Sequence, residues 1–441
     1  MRDEFAGALL NFAREPSETQ VVAQDGVESW CDGARAALSA PWQFQDLLGA
    51  LPEANFCERI WCKRPVHLIR ESPGFYGHLL SLLDLERYLS MRELFERHSL
   101  TTPEQGHGLP HPPPRSLSEL YERLLSGRAL RIRNMETFLH PSEPLVALVN
   151  SIERALGQSC DSISCYVSNA GARGLGPHHD ETEIFTLQIS GEKRWRIYHR
   201  DDSAEPRTHL ASTLGAPRAD FVLKPGDLLY VPRGWVHEVT SEVASFSLTI
   251  VFRPVDWRAL PEILLERLAN SPVFREPLPN VLGRERNSDA WQQQFERRVH
   301  LMRAALAELT PQDVIDSAAR SVLSRTTLPA VPQLSAILSL ERVTADTLLR
   351  KRPGIVAHLT VDGAHARLLL PGGYSVTTSA RAEPALRQLL DGHEPFRVRE
   401  MHASLGSEAK LVLARRLVAA GLLCLEQPWQ PRATDHPGAE A

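Results

Sequence analysis

From about residue 161 to 254 the chain is a succession of short β-type runs, SISCYVSN, IFTLQIS, KRWRIY, DLLYVP and SFSLTIVF, separated by Gly, Pro and Asp turns. Runs of this length cannot build long buried helices. With no helices between them they close on one another as an antiparallel barrel or sandwich. This stretch limits the fold more than any other, because the barrel must supply the central core on which the rest of the chain is arranged.

The flanking text has the helical period, which makes the class α+β. In LSLLDLERYLSMRELFERH, Leu82, Leu85 and Leu89 recur along one helical face with Tyr88 at its border. The Pro- and Gly-dense stretch 101–115, TTPEQGHGLPHPPPR, breaks that pattern and is expected as an exposed loop whose two histidines are solvated. Over 291–309, Phe295, Val299, Met302, Leu306 and Leu309 form one apolar stripe, and Thr310-Pro311 reads as the cap and first residue of the next helix. An exposed apolar helical face of this kind suits pairing of subunits. Near the end, ARLLLPGGYSVTT carries a hairpin signal, followed by a helix SEAKLVLARRLVAAG expected to be capped by Ser407 and ended by Gly421. That order suggests a winged-helix module. Residues 341–426 hold 12 Lys and Arg against 9 Asp and Glu, a surplus too thin for a duplex reader, so a protein-contact or scaffold role is expected and direct nucleic-acid binding is not.

Length and charge fit this picture. The 441 residues suffice for two or three domains, and 49 Lys and Arg against 54 Asp and Glu leave a net charge of −5, which suits a basic partner. The opening MRDEFAGALLNFAREPSETQ has acidic residues within its first four and no apolar core of signal-peptide length, and no later run is apolar enough to span a bilayer. The six cysteines, Cys31, Cys57, Cys62, Cys160, Cys165 and Cys424, form no C-x-x-C pair and no zinc pattern with histidines. Reduced, packing cysteines in a cytoplasmic protein with no membrane attachment are the expectation.

The chemistry lies in the barrel text. GPHHDETEIFTLQISGEKRWRIY contains His178-x-Asp180, and 57 residues beyond Asp180 comes His237 in KPGDLLYVPRGWVHEVTS. Two imidazoles and one carboxylate on one face of a metal leave three positions open, which is what iron(II) needs to take an oxo-acid through two atoms and O2 through the third. His179-x-Glu181 has the same spacing, but neighbours on a strand point to opposite faces, so only one of the two pairs can line a given cavity. Gly176-Pro177 directly before His178 favours the first pair. A distal carboxylate on the oxo-acid needs a cation, and Lys193, in the Ser190-Gly191-Glu192-Lys193 turn 15 residues after His178, is the candidate, with Arg194 as its competitor on the other face. Ser164, Tyr166, Ser247 and Thr249 are hydroxyls on flanking strands that could share that carboxylate.

These residues resemble the JmjC-type, cupin-like ribosomal oxygenases, which hydroxylate side chains of ribosomal proteins. GPHHDETEIFTLQISGEKRWRIY is similar to their ligand strand, with His178, Asp180 and Lys193 at the positions of two iron ligands and the 2-oxoglutarate cation, and PGDLLYVPRGWVHEV to the strand that delivers His237. The likeness extends upstream to FCERIWCKRPVHLIR and downstream to EPALRQLLDGHEPFRVREM, similar to a winged-helix end. Two departures stand out: Ser164 falls where the eukaryotic members have Asn, and their single His is here the doublet His178-His179. The resemblance implies a double-stranded β-helix with N-terminal helices in a catalytic domain 1–255, a helical dimerisation region 256–335, a winged-helix domain 336–441, and a homodimer. It also implies an Fe(II)- and 2-oxoglutarate-dependent dioxygenase that hydroxylates a polypeptide side chain, first of all a ribosomal protein. The rival functions are hydroxylation of a small biosynthetic peptide, N-methyl demethylation through the same chemistry, and a non-catalytic metal-binding cupin regulator.

Overall fold

The computed structural model describes residues 21–24, 27–32, 42–90, 100–101, 113–137, 139, 144–172, 176–203, 207–278, 289–326, 333–392 and 394–426. Most of the Pro-rich stretch, 102–112 with both its histidines, and residues 91–98 of the first helical segment lie outside them. The chain divides into two compact units, Met1–Pro254 with Pro329–Val331, and Val255–Leu328 with Pro332–Ala441.

The first unit is built on two antiparallel sheets whose strands are numbered in chain order. One runs β1 (Val21–Gln24), β2 (Val27–Asp32), β3 (Val66–Arg70), β12 (Leu228–Val231), β8 (Glu183–Ser190), β14 (Ser245–Phe252), β6 (Cys160–Ser168), β5 (Leu130–Ile132), β4 (Leu100–Thr101), with β2 and β3 its one parallel pair. The other runs β10 (Arg207–Thr208), β7 (His178–His179), β13 (Trp235–Thr240), β9 (Lys193–Arg200), β11 (Ala219–Leu223). The five runs singled out in the sequence are β6, β8, β9, β12 and β14. From β6 to β14 the chain passes back and forth between the sheets, so each sheet lends its inward face to a shared interior.

Side-chain alternation builds both layers of this core. On β8, Phe185 and Leu187 point away from the interior into a cluster with Phe44, Leu47, Phe56, Leu148 and Tyr230, which seats the N-terminal helices on the outer side of the larger sheet. Ile184 points the other way and packs with Trp195, Ile197, Leu223, Leu229, Val231 and Val251 between the sheets. The upstream motif FCERIWCKR forms a π-helix, Phe56–Ile60, whose exit is tied to β12: the Cys62 backbone N–H donates to the Tyr230 hydroxyl at 2.9 Å, and that hydroxyl donates to the buried Glu183 carboxylate. The helix Leu82–Leu89 is closed at its start by a Ser81–Asp84 capping box and buries Leu85, Tyr88 and Leu89, whereas Leu82, expected on that face, stays half exposed in the first turn.

In the second unit the helix Asp289–Ala307 buries none of its residues, and Phe295, Met302 and Leu306 of its stripe remain 52%, 38% and 49% exposed. Thr310 caps the helix Pro311–Arg325 through a capping box with Asp313, as the sequence indicates. The hairpin His365–Leu369 (β17) and Ser375–Ser379 (β18) gains a third strand, His358–Asp362 (β16). A second three-stranded sheet joins Phe396–Arg397, Leu348–Lys351 and Leu423–Leu425. The helix Ser407–Ala419 is capped by Gly406, not by Ser407 as expected; it ends before Gly421, which takes the left-handed φ of +85° that stops a helix. No helix among the described residues is long and apolar enough to cross a membrane.

Candidate functional site

The interior between the sheets holds a cavity of about 170 Å³. Its wall follows from strand alternation: Tyr166 and Ser168 come from β6, Ile184 and Thr186 from β8, Lys193 and Trp195 from β9, His237 and Val239 from β13, and Ser247, Thr249 and Val251 from β14. His178 and Asp180 complete it from β7 and the residue that follows.

The two histidines meet because their strands pair at that point, His178 lying directly opposite His237. Their rings stand 4.4 Å apart between centroids. A bulge between Trp235 and His237 shifts the register against β9 and re-aims the imidazole. Each ring is held through Nδ1 by a backbone carbonyl two residues upstream, Gly176 at 2.9 Å for His178 and Trp235 at 3.0 Å for His237. That contact fixes Nδ1 as the donor and leaves Nε2 with its lone pair, the arrangement a metal-binding imidazole requires. His237 Nε2 lies 3.8 Å from Asp180 Oδ2, and one donor atom from each of His178, Asp180 and His237 lies within 4.8 Å of the others. Burial, followed by the neighbouring His178, holds the His237 imidazole below its ordinary range, so it is neutral at physiological pH. Asp180 is positioned by its backbone, whose carbonyl accepts from the Gly234 N–H at 2.9 Å.

The turn Lys224–Asp227 sets the strand that leads to His237. Asp227 is buried, and its carboxylate accepts the backbone N–H groups of Arg70 and Lys224, each at 2.9 Å, with His67 Nε2 at 3.1 Å. The acidic residue of the Pro-Gly-Asp sequence therefore staples β3 to β12 and takes no part in the cavity.

Lys193 enters the cavity and Arg194 points out. The Lys193 ammonium is buried, donates to Ser247 Oγ at 2.7 Å and lies 5.4 Å from the Tyr166 ring centroid. Desolvation lowers its pKa to about 7. Arg194 instead pairs with Asp220 at 2.7 and 3.1 Å on the outer face. The alternative pair separates in the same way: Glu181 binds Arg253 at 3.0 Å, and His179 turns its ring to His209.

Of the hydroxyl residues, Tyr166, Ser247 and Thr249 line the cavity and Ser164 does not; the Ser164 hydroxyl accepts from Arg131 at 3.5 Å. Arg131 does line it and was missed in the sequence. It sits on β5 opposite Tyr166, its guanidinium 5.3 Å from that ring's centroid. An Arg in the three-residue strand Leu130–Ile132 gives no signal until β5 is seen to pair with β6. Trp195 was missed as well: its ring stacks on His237 at 5.6 Å. Arg131 Nε and the Trp195 indole N–H are buried with no hydrogen-bond partner among the described residues. Two cations, Arg131 and Lys193, thus flank the Tyr166 ring in the same cavity into which two imidazole nitrogens and a carboxylate converge. Such a space suits a divalent metal next to an anion with more than one carboxylate.

Residues 143–260 match the JmjC domain. The chain is 25% identical over 316 residues to the bifunctional lysine-specific demethylase and histidyl-hydroxylase NO66 of Aedes aegypti, covering 66% of this chain and 49% of that protein. It is 29% identical over 318 residues to ribosomal oxygenase 1 of Gallus gallus, covering 66% and 52%. The chain spans about half the length of these curated relatives. The Escherichia coli ribosomal oxygenase YcfD superposes with a TM-score of 0.52 over 86% of this chain and 99% of that one, at 20% identity, a likeness of fold. A further YcfD structure, with cobalt and 2-oxoglutarate, superposes with a TM-score of 0.51. The chain thus carries a JmjC domain over 143–260, and over about two thirds of its length it is similar to ribosomal oxygenases and histidyl-hydroxylases.

Proposed function

We propose that the chain is an Fe(II)- and 2-oxoglutarate-dependent oxygenase that hydroxylates an amino-acid side chain of a polypeptide, first of all a ribosomal protein. The observation that carries this is the pairing, in one cavity, of the convergent His178, Asp180 and His237 donors with a buried ammonium that has no carboxylate partner among the described residues. His178, Asp180 and His237 would hold iron(II) through Nε2, a carboxylate oxygen and Nε2. Lys193 would anchor the distal carboxylate of 2-oxoglutarate, with Ser247, Tyr166 and Thr249 around it. Iron bound there would supply dioxygen activation coupled to the decarboxylation of 2-oxoglutarate to succinate and carbon dioxide.

The chain's own residues do the rest. Gly176 and Trp235 carbonyls hold the imidazole rings in one tautomer. Trp195 covers the His237 ring, and Ile184, Val239 and Val251 keep that wall apolar, so the reacting centre is shielded from water. Lys193 carries its positive charge to a place where only an anion can relieve its burial. The polypeptide substrate follows the relatives, which are ribosomal oxygenases and histidyl-hydroxylases. The exposed stripe on Asp289–Ala307 supports a dimerisation region near 256–335, and the helices and three-stranded sheets beyond it a winged-helix domain near 336–441. The reduced thiols Cys57, Cys62, Cys160, Cys165 and Cys424 support a cytoplasmic setting.

The test is 2-oxoglutarate binding to the iron-loaded protein. Loss of one member of a desolvated charge pair costs roughly 2–5 kcal/mol, on the order of 30- to several-thousand-fold in affinity. Lys193→Ala should weaken 2-oxoglutarate by that much with iron affinity unchanged, and Arg194→Ala should do neither. A Lys193→Ala affinity within about twofold of wild type would remove the anchor from this residue.

A further inference from the structure

The doublet His178-His179 places a second donor group directly behind the first. His178 faces the cavity, and His179, on the opposite face of β7, is 2% exposed. Its Nδ1 lies 2.9 Å from His209 Nε2, and that same His209 nitrogen lies 3.7 Å from Asp201 Oδ2. One donor atom from each of His179, Asp201 and His209 lies within 4.8 Å of the others, the dimension found for His178, Asp180 and His237.

We propose that His179, Asp201 and His209 form a second divalent-metal site, back to back with the first across one strand, and that zinc fits it. Three features of the geometry support this. Ligand atoms around a tetrahedral zinc at about 2.0–2.1 Å stand roughly 3.3 Å apart, and the 2.9 and 3.7 Å separations bracket that distance. The 3.7 Å separation is longer than a hydrogen bond, so the Asp201 carboxylate oxygen stands near the two imidazole nitrogens at the spacing of donors around one ion.

The backbone also holds all three donors in place. His209 N–H donates to the Pro177 carbonyl at 2.7 Å beside the β7–β10 pair, and Asp201 N–H donates to the Gly234 carbonyl at 2.7 Å. Ser203 N–H donates to Asp201 Oδ1 at 2.8 Å, which orients the carboxylate with its other oxygen towards His209. The fourth position is left to water, because the His209 and Asp201 side chains are 13% and 15% exposed, while the Ser203 hydroxyl, 3.4 Å from His179 Nε2, steadies the ring from its other nitrogen. A metal there would bind β7, β10 and the end of β9 into one body and hold His178 in register from behind. The site stands whether or not the cavity holds iron.

The experiment counts zinc on protein that cannot fill the first site. A protein carrying Asp180→Ala and His237→Ala, dialysed with zinc and then against metal-free buffer, should retain one equivalent by elemental analysis, and wild type two. X-ray absorption at the zinc edge of that double variant should show two imidazole ligands and oxygen. Adding Asp201→Asn, which keeps the side chain's shape, or His209→Ala should remove the equivalent, and zinc should raise the melting temperature only where Asp201 and His209 are intact. A double variant that folds by circular dichroism and retains no zinc would show the imidazoles joined by their hydrogen bond alone. Zinc retained equally with Asp201→Asn and with His209→Ala, or a zinc edge without two imidazoles, would place the metal elsewhere.

Discussion

At the scale of single residues, Lys193 is the group whose physics is most exposed to test. Burial that lowers its pKa from 10.5 to about 7 corresponds to an ionisation penalty of at most roughly 5 kcal/mol. The sign follows from proton counts. Above pH 10.5 both folded and unfolded chains carry neutral lysine. Between 10.5 and about 7 the unfolded chain holds the proton and the folded one does not, so stability falls as the pH falls, and below 7 the penalty is complete. Lys193→Met in the absence of 2-oxoglutarate should therefore raise the melting temperature, most at pH 6, while weakening 2-oxoglutarate binding as Lys193→Ala does. An anion partner restores the charged form, so 2-oxoglutarate should bind with uptake of close to one proton at pH 8 and none at pH 6. Calorimetry in buffers of different ionisation enthalpy reads this directly. Absence of proton uptake at pH 8 would mean that the ammonium is already charged in the empty cavity.

The same scale separates the two His-x-carboxylate pairs. Asp180→Ala should cost iron binding and turnover together, because it removes the one anion of the donor set. Glu181→Ala breaks only a partly exposed pair with Arg253, worth about 0–1 kcal/mol, and should leave both within twofold. Iron content and succinate release measured side by side decide between them. The proposed metal donors were legible because alternation along a strand is a strict rule, and it also sorted Lys193 from Arg194. Arg131 and Trp195 were not, because neither lies in a motif and each reaches the cavity through pairing between strands distant in sequence. Ser164 shows the reverse: it shares the parity of Tyr166, yet Arg131 takes its hydroxyl.

At the scale of elements, the strand runs from β6 to β14 could be read directly, since Gly, Pro and Asp punctuate them. Helix limits were less legible. Ser407 looked like a cap but the chain turns one residue earlier, and Leu82 has the right spacing yet sits in the first turn, half exposed. The element with most leverage is the turn before β13. Gly234 has a φ of +81°, and a Cβ there would stand 2.7 Å from the Asp201 carbonyl oxygen. Gly234→Ala should therefore cost roughly 1–3 kcal/mol in stability and shift the backbone N–H that holds Asp180. A melting temperature lowered by several degrees together with weaker iron binding is the expected result. An unchanged melting temperature would show that the turn has room the distances deny.

At the scale of the whole molecule, a charge of −5 suits a basic partner without naming one, and an apolar stripe suits pairing of subunits without fixing its geometry. Phe295, Met302 and Leu306 on a helix that buries none of its residues form the face proposed to pair subunits. Phe295→Glu with Met302→Glu should convert a dimer to a monomer by light scattering with iron binding unchanged. A wild type that is already monomeric, or a variant that stays dimeric, would contradict that role. Substrate choice lay beyond the sequence because it depends on surfaces around the cavity mouth, which no motif marks.

The cavity is proposed to couple 2-oxoglutarate to hydroxylation of a polypeptide. The most direct measurement incubates iron-loaded protein with 2-oxoglutarate, O2 and digests of ribosomal proteins, and follows succinate and peptide mass together. The expected result is a peptide heavier by one oxygen atom, succinate in equal amount, and loss of both in Asp180→Ala and Lys193→Ala. A peptide lighter by a methyl group with formaldehyde released, or peptide oxidation that survives Asp180→Ala, would contradict it.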